Sequence, residues 1–195
     1  MPYLDPADLE LGTAGLVPVD VQRGFDDDRW GSRNNPDAER HVAELVDGFR
    51  ATDRPVVHVR RDPTEPGSPL RSDRPGHAFK PGAEPLEDEP VVTKRVDGAF
   101  LGTDLAERLR DRGVERPVFV GFTTDHSVST TARLAENLGF SPYVVEDATV
   151  TFDRELDGTR YVAEQNHRLA LAQLSGEYAT VVEAATVLAA LETER

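Results

Sequence analysis

The sequence has no cysteine, only two lysines, one methionine and one tryptophan among its 195 residues. The lack of cysteine excludes disulfide bonds, thiolate metal sites and thiol catalysis in this chain. No apolar run approaches the roughly 20 residues of a membrane-spanning helix, which argues against a membrane partner. The N-terminal stretch MPYLDPADLELG is acidic and lacks the basic and apolar regions of a signal peptide. We therefore expect a cytoplasmic protein.

The charge is unbalanced, with 36 acidic and 22 basic residues and a net charge of -14 at pH 7. Because nucleic-acid phosphates require lysine and arginine, this balance argues against a nucleic-acid partner. Only Lys80 and Lys94 are lysines, so arginine supplies the other 20 of the 22 basic residues. An acidic excess with few lysines is typical of a salt-adapted (halophilic) or GC-rich source, since salt screens the self-repulsion.

Short β-rich runs alternate with helical patterns along the chain. Such alternation is typical of an α/β domain with a mainly parallel sheet. The absence of repeats and linkers, together with the chain length, predicts a single domain over 1–195. The predicted strands are 14–20, 54–60, 89–94, 116–122, 141–148 and 178–182, and the predicted helices are 34–51, 102–113, 127–139, 161–176 and 183–194.

Three local features qualify this pattern. Pro18 interrupts the first strand, although a central strand needs its backbone donors. Asn35 suits the N-cap of the first helix. The segment 61–90 contains seven prolines and no periodic pattern. Because loops of this length in compact domains are functional or disordered, we expect an ordered loop that borders a pocket or an oligomer interface.

Three reactive residues lie at the carboxyl ends of predicted strands: Asp20 ends the first, Lys94 ends the third, and Ser127 lies beyond the fourth. Ligands of open parallel sheets bind beyond the carboxyl ends of the strands, so these side chains are candidates for one site. A carboxylate can accept a proton from a nucleophile, and a nearby lysine stabilises developing negative charge. Serine is also a favoured helix N-cap, and the residues alone leave both roles of Ser127 open.

Five stretches occur together in the order and spacing of one known family: LVPVDVQRGF (16–25), PVVHVR (55–60), VVTKRVDGAFLGTDLAERLRDRG (91–113), VGFTTDHSVSTTARLAENLGF (120–140) and VVEDATVTFD (144–153). On these stretches, the chain resembles the isochorismatase-like, or cysteine hydrolase, superfamily. The resemblance implies a three-layer α/β/α, Rossmann-like fold with a six-stranded, mainly parallel sheet. It also implies a homodimer or homotetramer.

The resemblance also implies roles for the three reactive residues. Asp20 would be the general base, Lys94 its electrostatic partner, and Ser127 would occupy the position of the family's catalytic cysteine. A cis peptide is expected between Phe122 and Thr123. The N–H groups of Thr123 and Ser127 would then form the oxyanion hole.

The serine at position 127 is the main departure from the family pattern. A hydroxyl is much harder to ionise than a thiol, whose ordinary pKa is about 8.5. The serine could be a replacement made to trap a ligand, a natural serine form, or the mark of a member that never used a thiol. A second departure is Val96-Asp97-Gly98, where the family more often has Asn or Ser before Ala-Phe.

Phe25 and Trp30 follow Asp20 closely and are candidate substrate-binding residues, since pockets for small ligands are largely apolar. His58, Asp62 and His77 suggest part of a metal site. However, their spacing does not match the metal-binding branch of the family. We therefore expect neither a metal nor another cofactor.

The sequence thus favours a hydrolase of a small amide, ureido or carbamoyl compound that acts on a C–N bond. One alternative is a vinyl-ether hydrolase of the isochorismatase type, which would use Asp20 without a covalent nucleophile. The other alternative is a non-catalytic homologue that binds a small molecule.

Overall fold

Residues 9–194 of the chain are described by a computed structural model. They contain eight strands: β1 Ala14–Val19, β2 His58–Arg61, β3 Val91–Lys94, β4 Arg116–Phe122, β5 Tyr143–Val150, β6 Arg154–Leu156, β7 Thr159–Tyr161 and β8 Thr180–Val182. Six of these strands form a parallel sheet in the order β3-β2-β1-β4-β5-β8. The predicted α/β fold with a six-stranded parallel sheet is therefore confirmed.

Helices cover both faces of this sheet: α1 Ala38–Ala51, α2 Leu105–Asp111, α3 Ser129–Asn137, α4 Ala163–Leu174 and α5 Ala184–Thr193. The buried residues of α1 and α5 share one apolar cluster with one face of the strands. The second cluster, on the other face, contains buried apolar residues of α2, α3 and α4, such as Leu109, Ala132 and Leu171. Two cores separated by one sheet give the three layers that the resemblance implied.

The central strands β1 and β4 are buried along almost their whole length, as expected for parallel strands covered on both faces. Pro18 lies within β1. The N–H groups of Leu16 and Asp20 donate to the carbonyls of Pro55 and Val59 at 2.9 and 2.8 Å. Proline has no backbone N–H, and the position of this absent donor lies between the two bonds, on the side of β1 that faces β2. The other side of β1 pairs with β4 without interruption.

The first helix begins later than the predicted range 34–51, at Ala38. Asn35 adopts a left-handed backbone conformation with φ 43°, which asparagine tolerates better than most residues. Its side-chain amide donates to the carbonyls of Glu146 and Thr149 at 2.8 and 2.7 Å. The N-cap prediction for Asn35 was wrong because this side chain joins the helix entrance to β5.

The predicted strand 116–122 matches β4, the other predicted elements occur with shifted ends, and one hairpin was missed. Strands β6 and β7 form an antiparallel hairpin outside the main sheet. Its turn contains Asp157 and Gly158, both with positive φ. Asp-Gly is a strong hairpin signal, so the hairpin was available from the sequence.

Glu89 anchors the end of the proline-rich segment 61–90 to the rest of the fold. Arg50 of α1 donates to both carboxylate oxygens at 2.8 and 2.7 Å. The Leu86 N–H donates at 2.8 Å, and His58 Nε2 lies 2.9 Å from the same carboxylate. Burial opposes ionisation of Glu89, but the hydrogen bonds from Arg50, the Leu86 N–H and His58 lower its pKa to about 2.

Among residues 9–194, none of the helices has the length and hydrophobicity of a membrane-spanning segment. Residues 1–8, which carry most of the N-terminal stretch used for the cytoplasmic expectation, lie outside the described residues. The cytoplasmic location, the homodimer or homotetramer, and the single domain over 1–195 remain predictions.

Gly121 near the end of β4 supports a test of the sheet packing. It has φ 111°, and a Cβ added there would lie 2.1 Å from the carbonyl oxygen of Val19 on β1. Gly139 also has positive φ, but nothing lies within 4 Å of an added Cβ. We expect Gly139→Ala to lower the free energy of unfolding by about 1 kcal/mol. Gly121→Ala should cost at least about 2 kcal/mol more because of the backbone clash.

Urea unfolding of both variants measures this difference. Equal losses in the two variants would contradict a steric role for the β1–β4 contact.

Candidate active site

The carboxyl edge of the sheet brings Asp20, Lys94 and Ser127 together. Asp20 follows β1, Lys94 ends β3, and Ser127 lies in the turn after β4. Since β2 separates β1 from β3, the long lysine side chain is needed to reach Asp20. All three residues are at most 2% exposed. The structure therefore places the three predicted side chains in one buried cluster.

The ammonium group of Lys94 is the centre of this cluster. Its Nζ donates to Asp20 Oδ2 at 2.6 Å and to Ser127 Oγ at 3.0 Å. A third contact, at 3.2 Å, goes to the carbonyl of Val96. An ammonium group has three donors and no acceptor, so these contacts use its full hydrogen-bonding capacity.

Asp20 is held in an uncommon conformation, with φ 54°. Its N–H donates to the Val59 carbonyl, and its own carbonyl accepts from the Gln22 N–H at 2.7 Å. The Oδ1 atom of Asp20 is buried without a hydrogen-bond partner among the described residues. Burial raises the pKa of this carboxyl above its ordinary value, although the charge and hydrogen bond of Lys94 and the nearby Ser127 side chain oppose the shift.

A single π-helical turn, Thr124–Val128, carries Ser127 from β4 into α3. The peptide between Phe122 and Thr123 is cis. The Ser127 side chain contacts Lys94 and Asp97 and makes no capping bond to the backbone of α3. The N-cap alternative for Ser127 therefore does not describe this structure.

His167 supports this turn from behind and was missed by the sequence analysis. It lies on α4, is 3% exposed, and its Nδ1 is 2.9 Å from the Thr124 hydroxyl. Burial lowers the pKa of His167 to about 4, and the charge of Arg168 acts in the same direction. The imidazole is therefore neutral near pH 7. Its distance of 43 positions from Thr124 left no local pattern by which to find it.

Asp125, which follows Thr124, also has a structural role. It accepts hydrogen bonds from the Thr151 hydroxyl at 2.5 Å and from the Arg154 Nε at 2.9 Å. These bonds tie the turn to the end of β5 and to the start of the hairpin. Arg154 also lines the pocket described next.

A pocket of about 440 Å³ opens in front of Ser127. Phe25 and Trp30 form an aromatic wall, with ring centroids 5.1 Å apart. The proline-rich segment contributes Pro63, Glu65 and residues 67–70. This part of the segment therefore borders the pocket, and the two aromatic candidates lie where a bound molecule would meet them.

Asp97 and Arg61 are further pocket residues that the sequence analysis did not place in the site. Arg61 Nη1 forms an ion pair with Asp97 Oδ1. Ser127 Oγ lies 3.3 Å from the same oxygen. Position 97 had been identified only as a departure from the family pattern.

The residues considered for a metal site are separated and bonded elsewhere. His58 contacts Glu89, and His77 Nδ1 lies 2.8 Å from the Leu70 carbonyl. Asp62 accepts a hydrogen bond from a loop N–H at 2.8 Å. Among residues 9–194, no group of three or more His, Asp or Glu side chains is arranged to hold a metal ion.

Comparison with known proteins assigns the family. The sequence model of the isochorismatase domain matches residues 14–186. The chain belongs to the isochorismatase family. It is 38% identical to the isochorismatase family protein YrdC of Bacillus subtilis, over 86% of this chain and 90% of that protein.

Two further comparisons concern structure and activity. A crystal structure of an isochorismatase-family protein from Chromobacterium violaceum matches with a TM-score of 0.89 and 42% identity, over 93% of this chain and 94% of that chain. Nicotinamidase 3 of Arabidopsis thaliana is 33% identical, over 73% of this chain and 76% of that protein. These similarities support a hydrolase.

The buried histidine leads to a pH prediction. Because the pKa of His167 falls from 6.5 to about 4 on folding, the unfolded chain binds a proton that the folded chain does not. The contribution of neutral His167 to the free energy of unfolding is fully present above pH 6.5. As the pH falls toward 4, the unfolded state gains this proton, and the protein loses up to about 3 kcal/mol of stability. We expect His167→Gln to lose less stability over this interval than the parent protein.

Urea unfolding at a series of pH values measures the difference. The control is His126→Gln, because the His126 side chain is 57% exposed. A constant difference between parent and His167→Gln at every pH would contradict the prediction.

Proposed function

We propose that this protein hydrolyses a C–N bond of a small amide, ureido or carbamoyl compound, with Ser127 as the nucleophile. One observation carries the proposal: the Lys94 ammonium contacts both Asp20 and Ser127 behind a pocket that Ser127 lines. A nucleophile, a carboxylate and a fixed positive charge are the components that acyl transfer requires. The similarity to a nicotinamidase supports this bond type.

In the proposed reaction, Ser127 Oγ attacks the carbonyl carbon and an acyl-enzyme forms as the C–N bond breaks. The amine leaves with a proton, and water then releases the acyl group. Asp20 and Lys94 provide the acid–base and electrostatic pair of the site. The N–H groups of Thr123 and Ser127, which both line the pocket, are proposed to bind the oxyanion.

The pocket favours a small organic substrate. Its volume of about 440 Å³ falls within the usual range for sites of small molecules. We propose that the aromatic wall of Phe25 and Trp30 binds an apolar or planar part of the substrate. The Trp30 indole N–H is already bonded to the Gly24 carbonyl at 2.8 Å, which leaves the ring as the contact surface.

A second candidate function rests on Asp20. Burial raises the pKa of Asp20, and its Oδ1 has no partner within the described part of the chain. A protonated carboxyl in this position could donate a proton to a vinyl ether, which is the reaction of isochorismatases proper. That reaction needs Asp20 but no nucleophile at position 127.

Substitutions at position 127 distinguish the two functions. If Ser127 is the nucleophile, Ser127→Ala should lower kcat on small amides by about 10³-fold or more, because no acyl-enzyme can form. Ser127→Cys should retain or increase turnover, since a thiolate forms more easily. Rates of amine release from a panel of amides, ureas and carbamoyl compounds, at low and high salt, provide the measurement.

Ser129→Ala is the matched control, because Ser129 is buried two residues along the same segment and bonds Arg133. Ser127→Ala with full activity on a vinyl ether, together with an inactive Asp20→Ala, would support the second function. Ligand binding without turnover in every variant would support a non-catalytic homologue.

A further inference from the structure

Ser127 Oγ has two different neighbours. Lys94 Nζ lies at 3.0 Å and Asp97 Oδ1 at 3.3 Å. The ammonium group can only donate, so the serine oxygen accepts from Lys94. The hydroxyl proton is then directed to Asp97, which is the acceptor within reach.

Asp20 does not have this relationship to the hydroxyl. Its Oδ2 is bonded to Lys94, and its Oδ1 has no hydrogen-bond partner in the described part of the chain. Ser127 lies close enough to influence the pKa of Asp20, but the bond of its hydroxyl goes to Asp97. Two carboxylates therefore lie near one nucleophile, and Asp97 is the one that accepts from its hydroxyl.

Arg61 holds Asp97 in position. Its guanidinium group pairs with Asp97 Oδ1. The backbone of Arg61 is bound on both sides by the buried Gln22: the Arg61 N–H donates to Gln22 Oε1 at 2.8 Å, and Gln22 Nε2 donates to the Arg61 carbonyl at 3.0 Å. The carboxylate is thus oriented by a residue that is itself fixed to the edge of the sheet.

We propose that Asp97 is the general base for Ser127, so that the serine at 127 and the aspartate at 97 function as a pair. The inference rests on the proposed function, but it reassigns to Asp97 the proton transfer that the family resemblance and the reaction described above assign to Asp20. As the Oγ–C bond forms, the hydroxyl proton moves to Asp97 and the C=O electron pair moves to oxygen. When the C–N bond breaks, this proton passes to the leaving amine.

The chemistry of the nucleophile explains why such a pair is needed. A thiol can be ionised by the Asp20–Lys94 pair alone, since its ordinary pKa is about 8.5. A serine hydroxyl needs an aligned base during the attack. The separation of 3.3 Å between Ser127 and Asp97 is long for a hydrogen bond between oxygens, but such contacts commonly shorten when substrate binds.

A covalent probe tests the pair without knowledge of the substrate. The probe is a fluorophosphonate, which reacts with activated serines, and intact-mass measurement followed by peptide mapping gives the rate of modification at Ser127. We expect Asp97→Asn to slow this rate by about 10²-fold, the usual contribution of a general base. Asp73→Asn is the matched control, because Asp73 pairs with Arg71 and does not line the pocket.

The effect of Asp97→Asn in the Ser127→Cys variant shows whether Asp97 acts as a base or only supports the structure. In Ser127→Cys, we expect Asp97→Asn to change the rate of alkylation by iodoacetamide less than about threefold, since a thiol needs no second carboxylate. Equal losses in the serine and cysteine backgrounds would overturn the pair. An unmodified Ser127 in the parent protein, or a rate unaffected by Asp97→Asn, would also overturn it.

Rates on the panel of amides, measured in parallel, distinguish failure of the Ser127–Asp97 pair from failure of the proposed function. Labelling of Ser127 that depends on Asp97, without hydrolysis of any amide, supports the pair and contradicts the proposed substrate class. Hydrolysis that continues at full rate in Asp97→Asn supports the proposed function and contradicts the pair.

Discussion

The ion pair between Lys94 and Asp20 is the interaction on which the site depends. Both side chains are fully buried, and the pair joins the ends of β1 and β3 across β2. Removing one member of a buried pair typically costs about 3–5 kcal/mol, because an unpaired charge is left without water. The Ser127 hydroxyl is held by the same ammonium group. The Lys94 ammonium therefore connects the ends of β1 and β3 and also positions the nucleophile.

Both lysines of the chain are buried and form ion pairs with carboxylates. Lys80 is 4% exposed and contacts Asp26 and Glu39, while Lys94 contacts Asp20. Both are thus buried ion-pair partners, whereas the exposed basic groups are arginines. A compact ammonium on a flexible stem fits a confined site better than a planar guanidinium. The scarcity of lysine and its burial are consistent with a surface where arginine and acidic residues prevail.

The sequence predicted the fold more completely than it predicted the site. The alternation of strand and helix patterns identified all six strands of the sheet, because each buried strand carries its own apolar run. Asp20, Lys94 and Ser127 followed from the rule that parallel strands end at one edge. Asn35 was misjudged, since its bonds to β5 reach residues more than 100 positions away. His167 and the contact of Asp97 with Ser127 were missed because their partners also lie far apart in the sequence, at 43 and 30 positions.

The sequence by itself determined the fold class and the residues that terminate the strands, because periodicity and strand ends are local properties of the chain. Only the tertiary structure decided which side chains meet beyond that edge. Arg61 and Asp97 enter the pocket from different segments, and their contact depends on loop paths that no periodic pattern encodes. The acceptor of the Ser127 hydroxyl is likewise set by distances between segments, since a proton is directed to the nearest available acceptor in space.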